Sequence, residues 1–153
     1  MRRELILKSI ETTPGISYNE IKRDTNLSNG VVSHYIYHLI NEGVIEKFGS
    51  GRSKYFSYQV PKNDRIIISL LHNQTNQKII KILLTSNLYV TSEYISKRIN
   101  KSHSTISVSL KILQKHNLIE REIMNKKSKI TSDIAYKISK KAYLRNFLKK
   151  YKI

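Results

Sequence analysis

The sequence contains no cysteine and no tryptophan, and its 153 residues include only two prolines and 11 acidic residues. The absence of cysteine excludes disulfides, cysteine-ligated zinc, iron–sulfur clusters and thiol catalysis. Long apolar runs are missing too: the longest, Ile66–Leu71, is far shorter than the roughly 20 residues that a helix needs to span a bilayer. The first residues, Met1–Glu4, do not lead into the apolar stretch of a signal peptide. We therefore expect a soluble cytoplasmic protein.

The charge is strongly unbalanced along the chain. Lys and Arg number 28, so the formal net charge is +17, and 39% of the residues are hydrophobic, enough for a core. Residues 1–76 hold 10 basic and 7 acidic side chains, whereas residues 77–153 hold 18 and 4. Such an excess attracts polyanions, because Lys and Arg release counterions when they meet phosphates. It favours a nucleic-acid partner over a merely solvated surface or an anionic membrane.

The chain contains an internal repeat with a constant offset of 74 residues. When residues 17–45 are laid over residues 91–119 without a gap, six positions are identical: Ile21/Ile95, Asn26/Asn100, Ser28/Ser102, Ser33/Ser107, Leu39/Leu113 and Ile45/Ile119. In each copy three apolar residues step by four and three, as on one helix face, and a residue suited to a left-handed helix end follows. These are Val32, Ile36, Leu39 and Gly43, then Ile106, Leu110, Leu113 and Asn117. The pattern indicates duplication of one structural unit.

Start and stop signals predict three helices and a β-hairpin in each unit. Ser17 and Glu20 form a capping box that opens a helix to about Thr25, and Ser28 caps the next helix, which ends near Glu42. Upstream, Leu5, Ile6 and Ile10 mark a first helix that Pro14–Gly15 terminates. Strands are predicted over residues 44–48 and 54–60, and in the second copy over residues 118–123 and 133–138. Predicted helices of the second copy cover residues 75–86, 91–99 and 102–116, and a C-terminal helix follows over residues 139–151.

Three stretches of the first copy carry a family resemblance. Residues 14–21 (PGISYNEI), 27–36 (LSNGVVSHYI) and 39–45 (LINEGVI) resemble the winged helix-turn-helix of the MarR/ArsR-like regulator superfamily in its archaeal form. Residues 91–119 resemble it more loosely. The resemblance implies an α+β, mainly helical protein with two tandem winged helix-turn-helix domains, over residues 1–61 and 77–153. Residues 62–76 would form a linker helix between them.

In such a fold the third helix of each unit lies in the DNA major groove. Because the apolar stripe faces the core, the opposite face is left for bases and phosphates. In the first unit this face and the helix start consist of Ser28, Asn29, Gly30, Ser33, His34 and Tyr37. The second set, at the same offset, is Ser102, His103, Ser104, Ser107, Val108 and Lys111.

The hairpins supply further contacts to the backbone or the minor groove. In the first unit we expect these from Ser50, Arg52 and Lys54, and in the second from Lys126, Lys127 and Lys129.

Other chemistry is not indicated. His34 and His38 are four residues apart, a spacing that could hold a metal, but the sequence offers no third ligand. No nucleophile or phosphate-loop motif is present, so we expect no enzyme activity, no metal and no cofactor. By resemblance, a homodimer could form through Ile66–Leu71 or through the C-terminal helix, where Tyr143, Phe147 and Tyr151 share one row. The alternative is that this helix packs on its own unit.

The sequence thus predicts a protein that binds double-stranded DNA, a transcription regulator that is associated with the nucleoid if the source is prokaryotic. Two alternatives stay open. One is a tandem winged-helix scaffold or adaptor of a protein complex, which needs apolar or mixed contact faces. The other is a factor that binds single strands or RNA, or that initiates replication.

Overall fold

The computed structural model describes residues 1–124 and 134–153. The predicted contacts Lys126, Lys127 and Lys129 lie outside these residues. The predicted fold class is confirmed, since the chain is α+β and mainly helical, with small antiparallel sheets. It divides into a first unit, Met1–Ser69, and a second unit, Leu70–Ile153. This boundary falls inside a helix, and the predicted linker over residues 62–76 remains a prediction.

The first unit has a helical part and a three-stranded sheet. The sheet order is β1-β3-β2, with Ile16 opposite Tyr55 and Ile45 opposite Ser57. Sequence patterns missed β1, because two residues are too few to show an alternation. The elements are α1 (Arg2–Thr12), β1 (Ile16–Ser17), α2 (Tyr18–Thr25), α3 (Asn29–Asn41), β2 (Ile45–Phe48), β3 (Lys54–Ser57) and α4 (Lys62–Leu71), the last of which crosses the unit boundary.

The second unit repeats this order of elements. Its sheet order is β4-β6-β5, with Val90 opposite Tyr136 and Ile119 opposite Ile138. Up to β5, the bounds lie within two residues of those of the first unit plus 74. The elements are α5 (Gln74–Thr85), β4 (Val90–Thr91), α6 (Ser92–Ile99), α7 (His103–Lys115), β5 (Ile119–Ile123), β6 (Ile134–Ile138) and α8 (Lys141–Tyr151).

Local signals at the helix ends explain several of the matching positions. The predicted capping box is confirmed: the Ser17 backbone N–H donates to the Glu20 carboxylate at 2.8 Å, and the Glu20 N–H donates to Ser17 Oγ at 3.4 Å. Asn26 and Asn100, an identical pair, end α2 and α6 in the left-handed conformation. An asparagine tolerates this conformation better than most residues, because its short side chain can bond locally.

The predicted apolar stripes face the two cores. Val32, Ile36 and Leu39 are buried in the first unit, where they cluster with residues of α1, α2 and the sheet. Their counterparts in α7, which are Ile106, Leu110 and Leu113, are buried as well. The first helix that Leu5, Ile6 and Ile10 mark is present as α1; Ile6 and Ile10 are buried in the core, whereas the Leu5 side chain is 50% exposed.

The second hairpin strand of the first unit is shorter than predicted. It ends at Ser57 rather than Val60, because the Val60 N–H turns back to the Ser57 carbonyl at 3.0 Å.

A buried arginine connects α4 to the hairpin region of the first unit by hydrogen bonds. Arg65 is 2% exposed, and it donates to the Val60 carbonyl at 2.8 Å and to the Glu46 carboxylate at 2.5 Å. Its guanidinium carbon also lies 5.9 Å from the centre of the Phe56 ring. The hydrogen bond from Arg65 lowers the pKa of Glu46. Within the predicted apolar run, Ile68 is buried in the same helix, whereas Ile66 and Ile67 are half-buried.

The C-terminal helix packs on its own unit. Lys141 Nζ donates to the Ser86 carbonyl, and Arg145 donates to the Leu84 carbonyl at 3.2 Å. These carbonyls lie at the end of α5, where a cation is favoured by the helix dipole. Leu144 and Phe147 are buried, whereas Tyr143 is 49% exposed.

Among the helices of residues 1–124 and 134–153, none combines the length and the hydropathy needed to cross a membrane.

Candidate nucleic-acid interface

Helix α3 presents one exposed polar face in the first unit. Because its apolar stripe is buried, the opposite side chains are left in solvent. The structure places the predicted residues Asn29, Gly30, Ser33, His34 and Tyr37 on this exposed face, and the Tyr37 side chain is 64% exposed. We call these five residues the reading face.

Aromatic rings lie edge to face along the reading face. The centroids of the His34 and His38 rings are 4.5 Å apart, and those of Tyr37 and His38 are 5.7 Å apart. His38 is exposed and was not among the predicted contacts, although its spacing of four from His34 already places it on the same face. In the described part of the chain, no three His, Asp or Glu side chains are grouped so that they could hold a metal ion.

The start of α3 is organised differently from the prediction. Ser28 precedes the helix in an extended conformation, but its side chain makes no capping hydrogen bond. Instead the Tyr18 hydroxyl, from the start of α2, lies 2.8 Å from the Asn29 carbonyl oxygen, 2.9 Å from Asn29 Oδ1 and 2.7 Å from Ser33 Oγ. The expected cap by Ser28 was therefore wrong, because a side chain from the preceding helix restrains this end. Sequence reasoning missed Tyr18, whose only signal was its place beside the capping box.

Neither steric crowding nor backbone conformation requires a glycine at position 30. A Cβ built on Gly30 meets no atom within 4 Å, and its φ angle lies outside the left-handed region. Within a helix, glycine costs about 0.5–1 kcal/mol relative to alanine. Gly30 leaves the backbone of the reading face bare at the second residue of the helix, where a partner could approach closely.

The hairpin of the first unit carries an exposed arginine at its tip. Arg52 and Ser50 are exposed at the tip, where the Ser53 N–H closes a tight turn on the Gly51 carbonyl at 2.9 Å. Lys54 Nζ points elsewhere, since it lies 3.9 Å from the Glu20 carboxylate. Of the two predicted basic contacts in this hairpin, Arg52 is therefore the better placed.

Helix α7 of the second unit begins with its own cap. Ser102 Oγ accepts from the Thr105 N–H at 3.2 Å and lies within 3.0 Å of both neighbouring hydroxyls, Ser104 Oγ and Thr105 Oγ1. The predicted contacts of the second unit are all exposed: Ser102, His103, Ser104, Ser107, Val108 and Lys111. Two of them, Ser104 and Val108, line an open groove of about 410 Å³ together with Asn73 and Thr75 at the start of α5.

The two exposed helix faces differ in charge. Helix α3 contains no lysine and no arginine, whereas α7 contains Lys111 and Lys115, both of them exposed. The first helix can therefore contact a partner mainly by hydrogen bonding and ring contact, and the second mainly by charge.

The first unit is similar to a known family of domains. Residues 1–68 match a family model described as an N-terminal HTH domain, of the HVO_0163 type. The first unit is thus a helix-turn-helix domain. The structure of reduced HlyU from Vibrio cholerae N16961 has a TM-score of 0.45 and 18% sequence identity, over 58% of this chain and 88% of that one. A comparison with curated proteins gives no match.

Proposed function

We propose that this chain is a transcription regulator that binds double-stranded DNA, with α3 in the major groove. The observation that carries the proposal is the reading face: four side chains and the bare backbone of Gly30 are exposed together on the third helix of a helix-turn-helix domain. Helices of this kind enter the major groove with their N-terminal residues at the base edges. The net charge of +17 supplies the attraction to the phosphates.

The two units would contribute unequally. The first unit would discriminate sequences, since α3 offers hydrogen-bonding groups and rings but no cation. The second unit, as a second winged helix, would supply most of the phosphate contacts, because residues 77–153 carry 18 basic and 4 acidic residues. Arg52 at the first hairpin tip and Lys111 on α7 would be backbone contacts.

The first experiment measures binding by fluorescence anisotropy, with a labelled random duplex, a single strand and a duplex RNA of equal length. We expect the DNA duplex to bind most tightly. Its affinity should fall by about tenfold or more between 50 and 200 mM salt. Equal or tighter binding of the single strand or the RNA would favour that alternative. A protein that binds none of the three nucleic acids at low salt would contradict the proposal.

A second experiment uses Gly30→Ala to separate folding from binding. We expect this variant to stabilise the first unit by about 0.5 kcal/mol, because alanine favours a helix and the added methyl group meets no neighbour. We also expect weaker duplex binding, since the methyl group would stand between the α3 backbone and the DNA. A variant that is more stable and binds duplex DNA unchanged would argue against α3 as the groove helix.

A third experiment uses Tyr37→Ala on a cognate site obtained by selection from genomic fragments. Tyr37 is 64% exposed, so the substitution should leave stability nearly unchanged. We expect the cognate site to lose about tenfold in affinity and a random duplex to lose less than twofold. Equal losses on both would contradict a role in sequence readout.

The homodimer through Ile66–Leu71 or the C-terminal helix stays a prediction. Light scattering on the purified chain tests it directly, because a monomer has a mass of 17.9 kDa.

A further inference from the structure

The Tyr18 hydroxyl sits at the centre of three short contacts at the exposed start of α3. It lies within 2.9 Å of the Asn29 carbonyl oxygen, of Asn29 Oδ1 and of Ser33 Oγ. Both Asn29 and Ser33 belong to the reading face. A residue of α2 therefore contacts two of the groups that would meet the DNA.

The chemistry of these groups settles where the protons lie. A tyrosine hydroxyl has one proton to donate, and both Asn29 oxygens can only accept. If that proton pointed to Ser33, two oxygen pairs at 2.8 and 2.9 Å would face each other with no hydrogen between them. The Tyr18 proton therefore lies toward Asn29, and the Ser33 hydroxyl donates its own proton to the Tyr18 oxygen at 2.7 Å.

This arrangement determines what the two side chains offer to a partner. The Ser33 hydroxyl already donates its proton to the Tyr18 oxygen, so the Ser33 oxygen can only accept a further hydrogen bond. Asn29 has its amide oxygen turned to Tyr18 and presents its amide N–H groups. In the major groove, an acceptor pairs with the amino groups of adenine or cytosine, whereas an amide donor pairs with guanine, with the thymine carbonyl or with a phosphate.

The described residues of the second unit contain no equivalent of the Tyr18 hydrogen bonds. The position that corresponds to Tyr18 is Ser92, whose side chain is too short to span the same gap. In the described residues no hydrogen bond joins Ser92 to His103 or Ser107, and Ser102 caps α7 instead. The tyrosine therefore serves the first unit alone, where the cap by Ser28 is missing.

We infer that Tyr18 is a specificity-determining positioning residue: its hydroxyl holds Ser33 as an acceptor and Asn29 as a donor toward the major groove. The base that faces Ser33 is then adenine or cytosine. This inference rests on the proposed function, since it specifies how the same helix reads duplex DNA.

The first test needs no DNA. Tyr18→Phe removes the hydroxyl and keeps the ring, and Tyr58→Phe is its control, because Tyr58 is 69% exposed in the same unit. In amide NMR spectra of the full chain we expect the Asn29 side-chain NH₂ signals to shift in Tyr18→Phe and to stay in place in Tyr58→Phe. Unchanged Asn29 signals in a folded Tyr18→Phe variant would overturn the inference, whatever the protein binds.

The second test selects bound duplexes from a random library with the wild type, Tyr18→Phe, Ser33→Ala and Tyr58→Phe. We expect Tyr18→Phe to relax the preference at one or two adjacent base pairs by about 2- to 10-fold, as for the loss of one hydrogen bond. Affinity for the random library should change less than twofold. Ser33→Ala should relax one of the same base pairs, and the double variant Tyr18→Phe/Ser33→Ala should relax that base pair no further than Ser33→Ala alone.

The outcomes distinguish the two claims. A wild-type preference that survives in Tyr18→Phe overturns the role of Tyr18 and leaves the proposed function standing. A wild type that binds no duplex at low salt overturns the proposed function and this inference together, even where the NMR test has detected the contact.

Discussion

Replacing Gly15 by alanine should destabilise the first unit through a close contact that the structure defines. Gly15 has a φ angle of +80°, and an added Cβ would lie 2.9 Å from Phe56 Cζ and 3.1 Å from Ile68 Cγ2. Both neighbours are fully buried, and the Phe56 ring is held edge to face by Phe48 at 5.8 Å. The backbone is held as well, because the Gly15 N–H donates to the Tyr55 carbonyl at 3.0 Å.

The expected magnitude has two parts. The left-handed conformation costs an alanine about 1 kcal/mol, and forcing a methyl group into packed neighbours adds about 1–3 kcal/mol. We therefore expect Gly15→Ala to lower the free energy of unfolding of the first unit by about 2–4 kcal/mol.

Gly43 provides the matched control. Its φ angle is +70°, but a Cβ there meets nothing within 4 Å, so Gly43→Ala should cost only the conformational part, about 1 kcal/mol. Gly43→Asn should cost less still, because Asn117 takes the same conformation at the equivalent position, with a φ angle of 57°.

Hydrogen exchange with mass spectrometry, measured across a urea series on the full chain, reports on the two units separately. Peptides from residues 1–60 should lose their protection at the lowest urea concentration in Gly15→Ala, at a higher concentration in Gly43→Ala and at a still higher one in Gly43→Asn. Peptides from residues 77–124 serve as the internal reference. A Gly15→Ala variant that is as stable as Gly43→Ala would refute the close contact.

Two further predictions concern charge. Arg65→Met should cost the first unit about 2 kcal/mol, because it removes the bonds to the Val60 carbonyl and Glu46. The pKa of Glu46 is lowered from its ordinary 4.5, so the stability that this bond adds is complete above that pH and is lost as the pH falls through the folded-state pKa. The difference between the urea midpoints of wild type and variant should therefore become smaller in acid, while the part due to the Val60 carbonyl remains, and a constant difference from pH 7 to pH 3 would contradict this. Lys111→Ala should reduce the slope of log affinity against log salt by about 1, as for one lost phosphate contact. The control Lys81→Ala, on α5, should leave the slope unchanged, and equal slopes for both variants would remove Lys111 from the interface.

Much of the fold could be predicted from the sequence because its signals are local. The steps of four and three in Val32, Ile36 and Leu39 determine which side of α3 is buried, and hence which side is exposed. Ser17 and Glu20 are three residues apart, so their capping box can be recognised without any tertiary contact. Gly43 and Asn117 are recognisable helix ends for the same reason.

The prediction failed where a contact joins distant parts of the chain. Ser28 has the right residue type for a cap, but Tyr18 occupies the start of α3 from the preceding helix.

The sequence by itself determined the helices, their exposed faces, the repeat at 74 residues and the excess of positive charge, since these follow from spacing and composition along the chain. Only the tertiary structure decided which exposed groups are already hydrogen-bonded and which are left for a partner. The reason is physical: a hydrogen bond such as that between Tyr18 and Ser33 depends on a distance of 2.7 Å between atoms that are 15 residues apart in the chain, and residue types along the sequence do not encode that distance.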